Sequence, residues 1–239
     1  MSKVVIGIHG LGNKPSKEIL ENWWLLSMKE GLKSIGKKQQ ISRFELIYWA
    51  DFFYPLPLDE RIGEIDDPAY LDEPYRVAPV LLRPETSKVR LKILDFLGDK
   101  VNQIFLSPDF SLKYSSLFDS ITEKYFHELN DYFNGKKDGS EEDVRREIVR
   151  RVSDILEKYH DDEIFLVAHS MGSIIALDVL SYFKLKSRVQ VLATIGSPLG
   201  MPNVVSKLVA IQRGINPENI SMQTPPLVEK SWYNFSDPE

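Results

Sequence analysis

The 239-residue chain contains no cysteine. That absence excludes a disulfide framework and thiolate-held metal, and it fits a cytoplasmic location. Long apolar runs are missing as well. No segment reaches the length of a membrane span, and the opening apolar stretch, residues 1–8, is too short for a signal peptide and runs straight into a glycine turn. Positive charge is not in excess: 30 Lys and Arg face 35 Asp and Glu, a formal net charge of −5. With no basic run carrying interleaved aromatics, a phosphate-neutralising nucleic-acid surface is not expected. There is no metal-ligand cluster, dinucleotide glycine pattern or phosphate loop, so neither a metal nor a cofactor is expected. Histidine is scarce, with only His9, His127, His160 and His169.

What is present suits a soluble globular protein. The composition, 43% apolar and 27% charged, and the length together fit one α/β domain with a sizeable core. "KVVIGIHG" reads as a central strand buried on both faces. Pro15 and Ser16 open a helix carrying Ile19, Leu20, Trp23, Trp24, Met28, Leu32 and Ile35, with Gly36 as its stop. "FELIYWADFF" is a second strand candidate. Residues 54–86 hold six prolines and eight acidic residues against three arginines, a poor composition for sheet or long helix. Helical spacing returns over 88–106 and 116–133, so 54–135 reads as an insertion inside a single domain spanning 1–239. The insertion is a candidate lid over an apolar pocket or a permanently packed subdomain; an amphipathic stripe looks the same in both.

Ser140 and Asp143 resemble a capping box that opens a helix through Val144, Ile148, Val152, Ile155 and Tyr159. Strand 163–168, a helix over about 171–183, strand 189–195, a short helix near 203–213 and a final strand "VEKSWYNF" follow. Strands alternating with helices predict an α/β fold with a mostly parallel sheet flanked by helices in three layers.

The chemistry centres on "LVAHSMGS", residues 166–173. A serine between a buried strand and a helix, with Ala168 and Gly172 two positions to either side, has the form of a nucleophile elbow. Such a turn forces the serine into a strained backbone conformation and leaves room only for small neighbours. The plainer reading is a helix N-cap. A second signal is "HGLG", residues 9–12, directly after the first strand, since acyl transfer needs preorganised amides for a developing oxyanion. It can also be read as an ordinary turn after a core strand.

With "HGLG" and "AHSMG" in this order, joined by "GSPLG" at 196–200 and the terminal "SWYNFSDPE", the chain resembles the α/β-hydrolase superfamily, especially its small lipases and esterases. The resemblance covers roughly 3–53 and 140–239. It implies a serine hydrolase of acyl esters acting through an acyl-serine intermediate, with Ser170 as nucleophile and a triad order of Ser, Asp or Glu, then His. The implied oxyanion donors are the amides of Met171 and of Leu11 or Gly10. His9, Gly10 and His169 are implied to border the site, His9 by fixing loop geometry. The implied substrate is a small-molecule or lipid-like acyl ester. The acidic 54–86 stretch disfavours an anionic phospholipid.

The sequence departs from that pattern in its histidines, all four of which precede Ser170. His160 reads as a helix-end residue. His127 reads as an exposed or satisfied side chain, or as a base arriving from an unusual direction. Asp237 is the first candidate acid and Glu239 the second, although either fits a solvated chain end. The expectation is a C-terminally truncated hydrolase lacking its last strand, last helix and histidine. The alternative is a non-catalytic module of the same fold that binds an apolar ligand or a partner protein. Without its base a serine hydrolase keeps only about 10³–10⁴-fold acceleration over water, so the 239-residue chain is expected to be nearly inactive.

Overall fold

In the computed structural model of the protein the described residues are 2–38, 40–77, 127–133, 143–200 and 224–235. They contain five strands: β1 (Lys3–Ile8), β2 (Phe44–Ile47), β3 (Glu163–His169), β4 (Val189–Ile195) and β5 (Val228–Phe235). Three long helices accompany them, α1 (Lys17–Ser34), α2 (Val144–Lys158) and α3 (Met171–Tyr182). The strands form one sheet in the order β2-β1-β3-β4-β5, and every pairing is parallel. This is the predicted α/β class, a parallel sheet flanked by helices consistent with a three-layer arrangement. Among the described residues no helix is long and apolar enough to cross a membrane.

The central strands are the apolar ones. Val4, Ile6 and Ile8 of β1, Ile164, Leu166 and Ala168 of β3, and Leu192 of β4 are buried. Their register, Ile6 with Leu166 and Ile8 with Ala168, lines up two rows of apolar side chains. α3 is buried from Met171 to Leu180, as expected of a helix apolar on all sides. α2 is amphipathic and buries Ile148, Val149, Val152 and Leu156.

Several boundaries differ from expectation. β2 stops at Ile47, and Ala50–Phe52 form a 3₁₀ turn instead of continuing the strand. Arg151 stabilises that turn, donating to the Tyr48 carbonyl and to Asp51 at 2.6 Å each while lying over the Phe52 ring. α2 is capped by Asp143, whose carboxylate accepts from the Arg146 N–H at 2.9 Å. Asp143 is therefore the cap itself and not the distal partner of a box; Ser140 lies outside the described residues. Of the apolar residues read on this helix, Ile19 and the C-cap Ile35 are exposed, and among the described α1 residues only Leu20 is buried.

The chain divides into two compact units, residues 1–81, 147–197 and 224–239 in one, and 82–146 and 198–223 in the other. The first holds the sheet. In it, residues 54–77 run against the start of the chain: Leu58 pairs with Pro15, and Tyr75 lies on Trp23 and donates to Glu30. In the second, residues 127–133 are helical and bury Leu129, Tyr132 and Phe133. The helices expected over 88–106 and near 203–213 lie outside the described residues.

Candidate active site

β1 and β3 are neighbours from which the chain departs in opposite directions, to β2 on one flank and to β4 and β5 on the other. At the carboxyl ends of two such strands neither connection fills the space between them, and this is where open α/β sheets leave a crevice. Two segments border it here, the loop from His9 to Pro15 after β1 and Ser170 after β3.

Ser170 has φ 52° and ψ −124°, and it is the only described residue other than glycine with a positive φ. For a residue carrying a Cβ this conformation costs about 1–3 kcal/mol. The surroundings hold it firmly. Its N–H donates to the Ile195 carbonyl at 2.9 Å, its carbonyl accepts from the Ser173 N–H at 2.9 Å, and the Ser173 hydroxyl donates back to the Ala168 carbonyl at 3.2 Å. Space around the turn is minimal. Ala168 is fully buried, and a Cβ on Gly172 would lie 2.5 Å from the Ile8 oxygen and 2.8 Å from the His9 oxygen. The first turn of α3 thus presses on the end of β1. Ser170 occupies the N-cap position of α3 but its side chain makes no capping bond, so the plainer reading of this serine lacks its hydrogen bond. The residue is half-buried.

The glycine loop faces the serine. A Cβ on Gly10 would lie 2.8 Å from Ser170 Cβ and 3.0 Å from His169 Nδ1. Behind the loop sits His9, 1% exposed. Its Nε2 accepts from the Trp49 N–H at 3.0 Å, so the ring proton belongs on Nδ1, which donates to the Gly10 carbonyl at 2.8 Å. The Trp49 indole N–H donates to the His9 carbonyl at 3.0 Å, and the two rings stack with centroids 4.7 Å apart. Burial pushes the His9 pKa down to about 3. With both nitrogens engaged and the ring neutral, His9 has no means of taking a proton from Ser170. What it does is orient a peptide: a trans peptide carries its C=O and N–H on opposite sides, so tying the Gly10 carbonyl to His9 turns the Leu11 N–H away from that ring. Met171 opens α3, where first-turn amides have no intrahelical acceptor.

The other histidines are differently placed. His169 is exposed at the end of β3; the protein packed around part of its ring, and secondarily the Lys14 ammonium, lower its pKa. His160 bonds the Glu157 carbonyl at 2.8 Å and lies 3.3 Å from Asp161. It precedes β3, whereas Ser170 follows it, a strand length of about 20 Å away. His127 is an exposed residue of the second unit. Among the described residues none is hydrogen-bonded to the Ser170 hydroxyl. Asp237 and Glu239 lie outside the described residues; β5, which precedes them, ends at Phe235 alongside β4.

Residues 141–224 match the family model of the PGAP1-like alpha/beta domain. The PGAP1-like family is α/β-hydrolase-like, and the matched stretch contains β3, Ser170, α3 and β4. The chain is similar to the PGAP1-like domain over the segment that builds the sharp turn, while the His9 loop lies outside the match. Comparison with curated proteins and with solved structures finds no match. Trp49 and Lys14 are the two residues at the site that sequence patterns miss. Trp49 stands 40 positions from His9, and nothing local marks the pair. Lys14 could have been noticed as the lone cation of "HGLGNK".

Proposed function

We propose that the protein is a serine hydrolase of carboxylic esters in which Ser170 attacks the acyl carbonyl. The Met171 and Leu11 N–H groups receive the oxyanion, an acyl-serine forms with loss of the alcohol, and water releases the acid. The observation that carries this reading is the strained backbone of Ser170, since a turn held at φ 52° with no capping bond has no evident structural use. The Gly10 contact supports the loop's share in the site, because the backbone comes too close to Ser170 Cβ for any larger residue. The lowered pKa of His169 keeps a neutral imidazole at the rim, where it lines the entrance. Asp237, following β5, is the acid of this reading. With no imidazole on the serine among the described residues, turnover by the 239-residue chain is expected to be very slow. Oxyanion stabilisation and binding alone supply about 10³–10⁴-fold over water.

A second reading is a non-catalytic module that binds an apolar ligand or a partner protein. It is favoured by the four histidines all preceding Ser170. Prolonged incubation with a fluorophosphonate, on the protein as its gene encodes it, separates the two. The hydrolase reading expects one adduct, mapped to Ser170 and absent from Ser170→Ala. An unmodified protein, or an adduct elsewhere, supports the binding module instead.

A further inference from the structure

The Gly10–Leu11 peptide is held by His9, but the next three peptides of the loop need another anchor, and Lys14 supplies it. Its ammonium donates to the Leu11 carbonyl, to the Gly12 carbonyl at 3.0 Å and to the Asn13 carbonyl at 3.4 Å. Three consecutive carbonyls therefore converge on one cation. Charge-assisted bonds of this kind are roughly twice as strong as neutral ones. Because each trans peptide is rigid, drawing the carbonyls to one side drives the paired N–H groups to the other.

Lys14 is itself tied down by its main chain. Its N–H donates to Asn13 Oδ1 at 2.8 Å, and its carbonyl accepts from the Leu58 N–H at 2.9 Å. Asn13 also reaches the 54–77 segment, donating from Nδ2 to the Leu56 carbonyl at 2.9 Å. The lysine is thus fixed to a strap at one end and grips the glycine loop at the other.

We propose that Lys14 is a positioning residue for the oxyanion-binding loop, holding Leu11 in the conformation that lets its amide serve the reaction at Ser170. This rests on the esterase reading, and Lys14 acts through the loop without touching substrate. Its grip continues the one His9 makes, so that two adjacent peptides are oriented by two independent anchors. Their failure modes differ, because His9 is buried and neutral while Lys14 is half-buried and charged.

The experiment compares wild type, Lys14→Met and Lys14→Arg by the rate of fluorophosphonate labelling at Ser170, by backbone amide exchange of residues 10–14, and by the His169 titration in proton NMR. Lys14→Met should slow labelling about 10- to 100-fold, a fraction of what losing a whole oxyanion donor does. It should also speed exchange of the loop amides and raise the His169 midpoint, while Lys14→Arg restores labelling to within about threefold of wild type because it keeps a cation near the three carbonyls. Labelling of Lys14→Met at the wild-type rate overturns the proposal, as does an unchanged exchange pattern over 10–14. Should wild type itself take no label, the esterase reading fails separately, and the amide exchange then decides whether Lys14 holds the loop.

Discussion

Ser170 is a residue whose backbone conformation runs against its own stability. Glycine adopts a positive φ without the Cβ conflict, at the expense of a more disordered unfolded chain worth about 0.5–1 kcal/mol. Relief of about 1–3 kcal/mol of strain exceeds that, so Ser170→Gly should be more stable than wild type by about 1 kcal/mol in urea unfolding, while losing the fluorophosphonate adduct. A destabilised Ser170→Gly protein would mean that the strain is absent or that the hydroxyl carries a structural bond. The serine itself was legible from "AHSMG", because its neighbours must be small wherever such a turn occurs, and Gly172 packs on the Ile8 carbonyl accordingly. His9 was legible as a loop-fixing residue but not its means of doing so. The Trp49 amide and indole that clamp it arrive from another strand end, and no periodicity announces a pairing across the sheet.

At the level of elements, β1, β3 and α3 followed from their apolar runs because burial is strong there, whereas β5 is legible although none of its residues is buried. β5 begins and ends where the run "VEKSWYNF" does. The failures occur where local sequence and tertiary contacts compete. "YWADFF" has the composition of a strand, yet Arg151 of α2 captures the Tyr48 carbonyl and Asp51 and closes a turn. The start of α2 shows the same limit on a smaller scale, since Ser and Asp three apart read alike as a box or as a single cap. With Asp143 bonding the Arg146 amide, Asp143→Ala should cost about 1 kcal/mol, measured by chemical unfolding, whereas a change of a few tenths at most would mean that another group caps the helix.

For the whole molecule, acid is the condition that tests the core most directly. His9 is neutral in the folded state with its pKa pushed down to about 3 by burial, against an ordinary 6.5 when unfolded. Between those values the unfolded chain binds the extra proton, so folding stability is full above about pH 6.5 and declines as pH falls, by up to about 1.4 kcal/mol per pH unit. Glu45, held low by Lys158 and Tyr159 against its partial burial, and Asp162, held low by Ser2 and Arg43, act in a lower window. Their contribution is present above their ordinary carboxylate values and lost as pH falls through the depressed ones. Urea midpoints measured from pH 7 to pH 4 should fall steadily in wild type. In His9→Gln they should start lower at pH 7 and fall more shallowly, the remaining slope coming from His169, whose pKa burial also lowers, until the carboxylates titrate. Parallel curves would assign the acid lability to other groups.

The pairing of Ile8 with Ala168 joins positions 160 apart in the chain. Nothing that Ser170 could do is therefore available to a nascent or partly folded polypeptide. The strained turn itself leans on the Ile195 carbonyl of β4, and the amide that would face it is delivered only when two distant strands zip together. Protection of the β1 and β3 amides from exchange during refolding would serve as a clock for that late event, lagging behind the appearance of helix signal.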